Sequence, residues 1–364
     1  MTNTTLEKWE EKTLGELCDV LDSRRKPITK KDRVAGVYPY YGATGILDYV
    51  SGWIFDEELV LLGEDGAKWT SGEQSAFKIN GKTWVNNHAH VLRPKRDRIS
   101  DNYLIYNLNF QNLMPYITGT TVPKLNQEKM RSITIPLPPL LEQERIVAKL
   151  DKAFEAIDKV KANAEQNLNN AKELFESALN KALLKSETAN IKTTFGKEFK
   201  IKSGDFLSAQ HMDVGGKYNV YGGNGVNGNY NHYNCSGENI IIGRVGEKCG
   251  NVHYVNEDVW VTDNAFILTQ TEHPLDKKFL YYLLTKLNLR KYAAKSTHPV
   301  ISGKSMKDVL VCFPDNINTQ QKIVEQLDKL QEQTKQLEAI YTQKIKECDE
   351  LKQSILQKAF RGEL

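Results

Sequence analysis

The sequence predicts an α+β chain: two globular domains with mixed β-sheet, each followed by a long helix, the two helices pairing as a coiled coil. Three observations predict this. Two stretches of roughly 45 residues, about Leu140 to Leu184 and Ile317 to Arg361, hold no proline or glycine to break a helix. The pattern of the first half returns in the second at an offset of about 176 to 181 residues, as a tandem duplication requires. The segments before each helix mix glycine, aromatics and short apolar runs, which favour strands and tight turns.

In the first helix Leu150, Ile157, Ala164, Ala171 and Ala178 recur every seven residues. Ala153, Val160 and Leu174 lie between them as a second seam row, diluted by Asn167 and Lys181. In the second, Leu327, Tyr341, Cys348 and Ile355 form the first row, with Leu330, Leu337 and Leu351 between and Thr334 and Lys344 as interruptions. Such a repeat buries one stripe of a helix against a partner helix. At about 1.5 Å per residue each helix is about 67 Å long, too long for either domain to cover, so each helix is expected to pair with the other. Leu150, Ile157, Leu174, Leu327, Leu337 and Leu351 are the expected interface residues. Prolines, which suit a helix entrance and not its interior, precede both: Pro138-Pro139 and Pro314. The expected domains are residues 1–139, a helix over 140–186, a second domain over 187–314 and a second helix over 315–364.

Taken in order, Thr13-Leu14-Gly15-Glu16-Leu17 opens the first domain, followed by a basic loop at Arg24-Arg25-Lys26-Pro27. Tyr38 to Gly45 reads as short strands and a turn. Leu59-Val60-Leu61-Leu62-Gly63 reads as a buried strand, Thr83 to Leu92 as another, and Asp101 to Leu113 as a helix. Thr120 to Asn126 reads as a loop and Ile133 to Pro138 as a last strand. A linker of Ser, Thr and Lys covers about Lys185 to Thr193. Beyond it Thr194-Phe195-Gly196 answers Thr13-Leu14-Gly15, and Ile240 to Gly246 answers Val60 to Gly66. Trp260 to Ala265 answers Trp84 to Ala89, and Ser296 to Ile301 answers Thr120 to Leu125. Turn glycines and helices agree between the copies while loop side chains differ, the pattern expected of two like sites with different specificity.

The net charge of +3 neither demands nor excludes nucleic acid, because a basic face can hide in a neutral total. Five cysteines without a C-x-x-C pair are expected to be reduced thiols of a cytoplasmic protein. The first residues show no apolar core of signal-peptide length, and no run of about 18 apolar residues occurs.

Three motifs imitate catalytic or ligand sites. Gly223-Asn224-Gly225-Val226-Asn227-Gly228 has dinucleotide-loop spacing, but Asn229 to Asn234 is poor helix material, and the motif needs a helix N-terminus. Gly303-Lys304-Ser305 resembles the end of a phosphate loop, but His298 stands where its first glycine belongs. His88 and His90 would share a strand face, yet no third metal ligand has clear spacing. No catalytic residue, metal ligand or cofactor is therefore expected in this chain.

The Pro-Leu-Pro-Pro-Leu-Leu-Glu-Gln-Glu-Arg-Ile-Val run (136–147), the Thr-Val-Pro-Lys-Leu-Asn loop (121–126), the Ile-Gly-Arg-Val-Gly-Glu-Lys-Cys-Gly-Asn-Val segment (242–252) and the end Ala359 to Leu364 resemble the specificity subunit of type I restriction-modification systems. The resemblance covers nearly the whole chain. It departs at Pro314-Asp315, where Pro-Pro would match the first copy, and at His298-Pro299-Val300. The resemblance implies two target-recognition domains joined by antiparallel coiled-coil helices. Each domain would read half of a split double-stranded DNA site. The helices would dock two adenine-N6 methyltransferase subunits and, through them, motor-nuclease subunits. S-adenosylmethionine would bind the methyltransferase partner, and ATP and Mg the motor-nuclease partner. The alternatives are a detached reader of a fused methyltransferase or nuclease, or a coiled-coil scaffold without DNA readout. Lysine and arginine in loops suit phosphates, and Arg, Lys, Asn, Gln, Ser and Thr suit base edges. The expected DNA contacts are Arg24, Arg25, Lys26, Tyr41, Lys68, Thr121, Lys124 and Asn126 in the first domain. In the second they are Tyr221, Asn224, Arg244, Lys248, Lys291, Thr297, His298 and Ser302. Lys286, Arg290, Lys291 and Lys295 form a basic run on an expected helix, suited to backbone contact.

Overall fold

The structure, a computed structural model, describes residues 9–119, 121–185, 190–213, 215–294 and 298–364. It divides into two compact units whose boundaries fall inside the long helices: residues up to Glu165 with Gln343–Leu364, and Gln166–Thr342.

The first unit runs β1 (Glu10–Thr13), α1 (Leu14–Leu17), β2 (Cys18–Val20), β3 (Ala35–Gly42), β4 (Gly45–Val50), β5 (Phe55–Asp56), β6 (Leu59–Gly63), β7 (Ala76–Ile79), β8 (Lys82–Val85), β9 (Ala89–Pro94), α2 (Asp101–Phe110), α3 (Gln127–Arg131), β10 (Thr134–Leu137) and the start of α4 (Leu140–Lys185). One sheet has the order β2-β9-β6-β7, a second β4-β3-β8-β5, and β1 pairs with β10. The β3–β8 pair is parallel and its neighbours antiparallel, so the sheet is mixed. The apolar run at 59–63 is buried on both faces. Val60 and Leu62 enter a core with α2 and the start of α4, while Leu59 and Leu61 enter a second core with Phe55, Val85 and Val91. That two-sided burial is why the run does not alternate with polar residues.

The second unit holds the rest of α4, then β11 (Asn190–Thr194), α5 (Phe195–Glu198), β12 (Phe199–Ser203), β13 (Tyr218–Gly222), β14 (Gly225–Tyr230), β15 (Glu238–Gly243), β16 (Val252–Asn256), β17 (Trp260–Val261), β18 (Ala265–Thr271), α6 (Lys277–Leu287), α7 (Gly303–Met306), β19 (Leu310–Pro314) and the start of α8 (Ile317–Phe360). Its sheets are β12-β18-β15-β16, β14-β13-β17 and β11-β19, the pattern of the first unit except that, among the described residues, no strand takes the place of β5. Gly45 and Gly225 turn equivalent hairpins at φ +127° and +103°, a region open to glycine and closed to most side chains.

Several sequence expectations are corrected. Thr83 to Leu92 is two strands, because Asn86 Oδ1 accepts from His88 N at 2.8 Å and folds a turn between them. The second half of the expected linker is strand β11, paired to β19; residues 186–189 lie outside the described set. The basic run is not one helix: α6 stops at Leu287 as Asn288 adopts φ +48°, and Arg290 and Lys291 sit in the 3-10 turn that follows. Lys295 lies outside the described residues.

The helix seam also differs in phase. Leu150, Ile157, Ala164 and Ala171 are buried as expected, and so are Leu327 and Cys348. Along α4 the second row falls four residues on, at Phe154, Lys161, Leu168 and Phe175, which are partly buried. Leu174 and Leu351, assigned to the seam, are 50% and 49% exposed, and Val160 is 54% exposed. Leu337 is partly buried. A row shifted by one position is about 100° round the helix, so those side chains lie at its margin. Within the first unit Lys161 Nζ meets Asp349 at 2.7 Å and Lys352 Nζ meets Asp158 at 2.5 Å. Three residues up α4 correspond to three residues down α8, so the pair is antiparallel. Within the second unit Leu179 and Leu183 of α4 share a core with Leu327 of α8.

Candidate nucleic-acid interface

In the first domain, the ends of β2, β6 and β9 converge with residues 121–126 on one charge cluster. Arg25 meets Glu64, donates from Nη1 to Ala89 O at 2.8 Å, and lies 3.4 Å from Asp22 Oδ2. Lys124 Nζ lies 2.7 Å from Glu64 Oε1. Asp22 Oδ1 accepts from Val91 N at 2.8 Å, and its Oδ2 meets His90 Nδ1 at 2.6 Å. His90 Nε2 faces Leu125 O at 2.8 Å, so both ring nitrogens have a partner. Burial would raise the Glu64 carboxyl, but hydrogen bonds from Lys124 and Arg25 overturn that and hold it below its ordinary value. Asp22 is likewise raised by burial and more than recovered by His90, Val91 N and Arg25. The ligand-type atoms of Asp22, Glu64 and His90 lie within 4.8 Å of one another. Arg25 and Lys124 already supply the positive charge between these carboxylates, so the cluster fits a salt-bridge network better than a metal ion. His88 turns elsewhere, to Asp65 Oδ1 at 2.5 Å, so the two histidines do not form the shared face expected of them.

In the second domain the same strand ends carry different chemistry. The register Leu62–His90 and Gly63–Ala89 in the first domain is Ile242–Phe266 and Gly243–Ala265 in the second. Ser203 lies opposite Phe266. Glu64 N donates to His88 O and Arg244 N to Asn264 O; Leu125 N donates to Glu64 O and Ile301 N to Arg244 O. The positions of Asp22, Glu64 and His90 are thus held by Ser203, Arg244 and Phe266. Arg244 Nη1 reaches Asp263 O at 3.2 Å and Ser203 Oγ at 3.3 Å, with its guanidinium 5.5 Å from the Phe266 ring centre. Its Nε is buried without a partner. Asn224 Oδ1 accepts from Lys248 N at 3.2 Å, tying the hairpin turn to this loop. Beside them, burial, aided by Lys248, pushes the His253 imidazole below its ordinary value.

The other expected contacts divide by role. Tyr41 and Tyr221 are half-buried at equivalent hairpin positions. Arg24 binds Glu57 and Ile54 O and lies over Phe55. Lys26 is exposed and its carbonyl accepts from Trp84 Nε1 at 2.6 Å. Lys68 is exposed beside Glu73, and Thr121 is exposed on the loop. Asn126 caps α3 by accepting from Lys129 N, and Ser302 caps α7. Lys291 and His298 are exposed; Thr297 lies outside the described residues. Arg25, side-chain exposure 14%, is bound on every edge and serves the fold.

Sequence reasoning missed the side chains that join each domain to its helix. Gln143 is fully buried, accepts from Ser100 N and donates to Arg98 O and Pro138 O. Gln320 does the same with Asp276 N and Pro314 O. Tyr106 donates to Asp151 at 2.5 Å and Tyr282 to Asp328 at 2.6 Å. Their recurrence in both copies was the available signal.

The family described as type I restriction modification DNA specificity domain matches residues 6–170 and 195–347. Among curated relatives, a putative type I restriction enzyme specificity subunit of Haemophilus influenzae, S.HindORF215P, is 38% identical over 142 residues, 39% of this chain and 36% of the relative. The EcoprrI specificity subunit of Escherichia coli is 28% identical over 147 residues, again 39% of this chain and 36% of the relative. The aligned stretches thus span little more than a third of those two relatives. Among solved structures, one from work on complex assembly and conformational transition of the type I R-M system matches with TM-score 0.75 and 20% identity, covering 98% of this chain and 99% of that one. The HsdS subunit from Thermoanaerobacter tengcongensis matches with TM-score 0.56 and 18% identity over 100% of both. At these identities the likeness to the two structures is one of fold.

Proposed function

Since the chain belongs to the family of type I restriction-modification DNA specificity domains, we propose that it is the non-catalytic reader of a two-part DNA sequence. Each domain reads one half, and the antiparallel helices set the gap and dock adenine-N6 methyltransferase subunits. Motor-nuclease subunits join through those. The methyltransferase binds S-adenosylmethionine and the motor-nuclease binds ATP and Mg. One observation carries the reading: a single scaffold occurs twice, and at the same strand ends it holds Asp22, Glu64 and His90 in one copy and Ser203, Arg244 and Phe266 in the other. Identical frames that carry different chemistry at equivalent points are what two readers of different base sequences need. The 46 residues of α4 give about 69 Å of helix, the scale of about two turns of DNA.

The test is co-expression with a methyltransferase subunit of this system and mapping of N6-methyladenine across the host genome. A motif of two short halves separated by a fixed gap supports the reading. A contiguous motif overturns independent readout, and no methylation from a soluble complex favours a scaffold without DNA readout.

A further inference from the structure

Arg25 and Arg244 lie at different places in their repeats, yet their Nη1 atoms reach equivalent carbonyls, Asn87 O at 3.4 Å and Asp263 O at 3.2 Å. A guanidinium therefore occupies the same point of both domains, supplied by the loop after β2 in one and by the residue after β15 in the other. Their surroundings differ. Arg25 is enclosed by Asp22, Glu64, Asn87 O and Ala89 O. Arg244 has no carboxylate partner among the described residues; its hydrogen bonds engage Nη1 only, and it is half-buried. Nη2 has no protein partner there and is not among the buried unpaired atoms, so it reaches solvent. With Nη1 engaged and Nε buried, Nη2 is the charged donor open to an acceptor from outside. In the major groove the acceptors O6 and N7 of guanine suit its two hydrogens.

We propose that Arg244 reads a guanine in the half-site of the second domain, positioned by Ser203, Asp263 O and Phe266, and that Glu64 at the same position denies the first domain that contact by engaging Arg25. This rests on the DNA-reading role proposed above.

The test uses the complex with its methyltransferase, comparing wild type with Arg244→Gln and Arg244→Lys. The expected result is a guanine in one half-site at which both variants lose discrimination by about 5- to 150-fold, the other half-site being unchanged. Replacing that guanine by 7-deazaguanine, which lacks N7, weakens wild type and leaves Arg244→Gln unaffected. The lysine variant keeps the charge, so its loss of discrimination separates base reading from charge and decides the matter should the glutamine variant not fold. A half-site without guanine, an unchanged motif, or a uniform loss across sequences as from a phosphate contact overturns the proposal. A wild-type complex with no split motif overturns the parent reading as well; a split motif with indifferent variants overturns this one alone.

Discussion

Lys124 holds its ammonium 2.7 Å from Glu64 Oε1, and Arg25 binds the other oxygen of the same carboxylate. One buried acid thus orders two cations from segments far apart in sequence. Glu64→Gln removes the charge and leaves Arg25 with Asp22 as its one carboxylate partner among the described residues, a loss of about 3 kcal/mol for breaking a buried pair. The expected outcome is earlier unfolding of the first domain in denaturant. Tryptophan fluorescence can follow it, because Trp9, Trp53, Trp69 and Trp84 lie there and only Trp260 in the second. Unaltered stability would mean that the pair is solvated.

The same cluster predicts acid sensitivity. Asp22 and Glu64 are held below their ordinary values in the fold, and unfolded they titrate at about 3.9 and 4.3. A depressed folded value gives stability that is present above the unfolded value and lost as pH falls through the folded one. Stability of the first domain should therefore fall below about pH 4. Glu64→Gln should flatten that fall, since one of the two acids no longer titrates. A parallel pH profile in the variant would show that other carboxylates govern acid unfolding.

Both helices and most strands were legible because each follows from a periodicity or a breaker residue. The seam phase was not. Alanines dominate the first row of α4, and a heptad read from small residues leaves open whether its companion lies three or four positions on. Lys161 and Lys352 hide the choice further, since lysines that pair with Asp349 and Asp158 at the seam margin look like solvent residues in sequence. The site was half legible: the loops converge as the repeat implies, but the neutralisation of Arg25 by Glu64, 39 residues away, is a tertiary fact.

Asn126, one of the expected DNA contacts, accepts from Lys129 N at 2.9 Å as the cap of α3. Asn126→Ala should cost about 1 kcal/mol of stability, and Asn126→Asp should restore it, because both Asn and Asp cap well. If the aspartate variant also keeps the methylation motif, the residue is a cap alone. A changed motif with restored stability would return it to the reading surface.

Lys124 is 42% exposed on its side chain although tied to Glu64, so it can still meet DNA. Lys124→Ala should weaken the first half-site more than the second and lower the salt slope of binding by about one. Competition with duplexes altered in one half at a time separates the two. Equal loss in both halves, or none, would remove Lys124 from the interface.

The helix pair offers the sharpest contrast between fold and docking. Leu150 is fully buried in the core shared by α2 and the C-terminal end of α8, whereas Leu174 and Leu351 are half exposed beside the seam. Leu150→Ala should cost roughly 2–5 kcal/mol through lost burial and the cavity left behind. Leu174→Ala and Leu351→Ala should fall within about 0.5 kcal/mol. If the helices dock methyltransferase subunits, these exposed leucines are apolar area awaiting a partner. Leu174→Asp and Leu351→Asp should then leave the isolated chain's melting temperature unchanged and weaken capture of the methyltransferase subunit. A fall in the melting temperature of the isolated chain would place both leucines in the seam after all. Undiminished capture at an unchanged melting temperature would move the docking surface to another face of the helices.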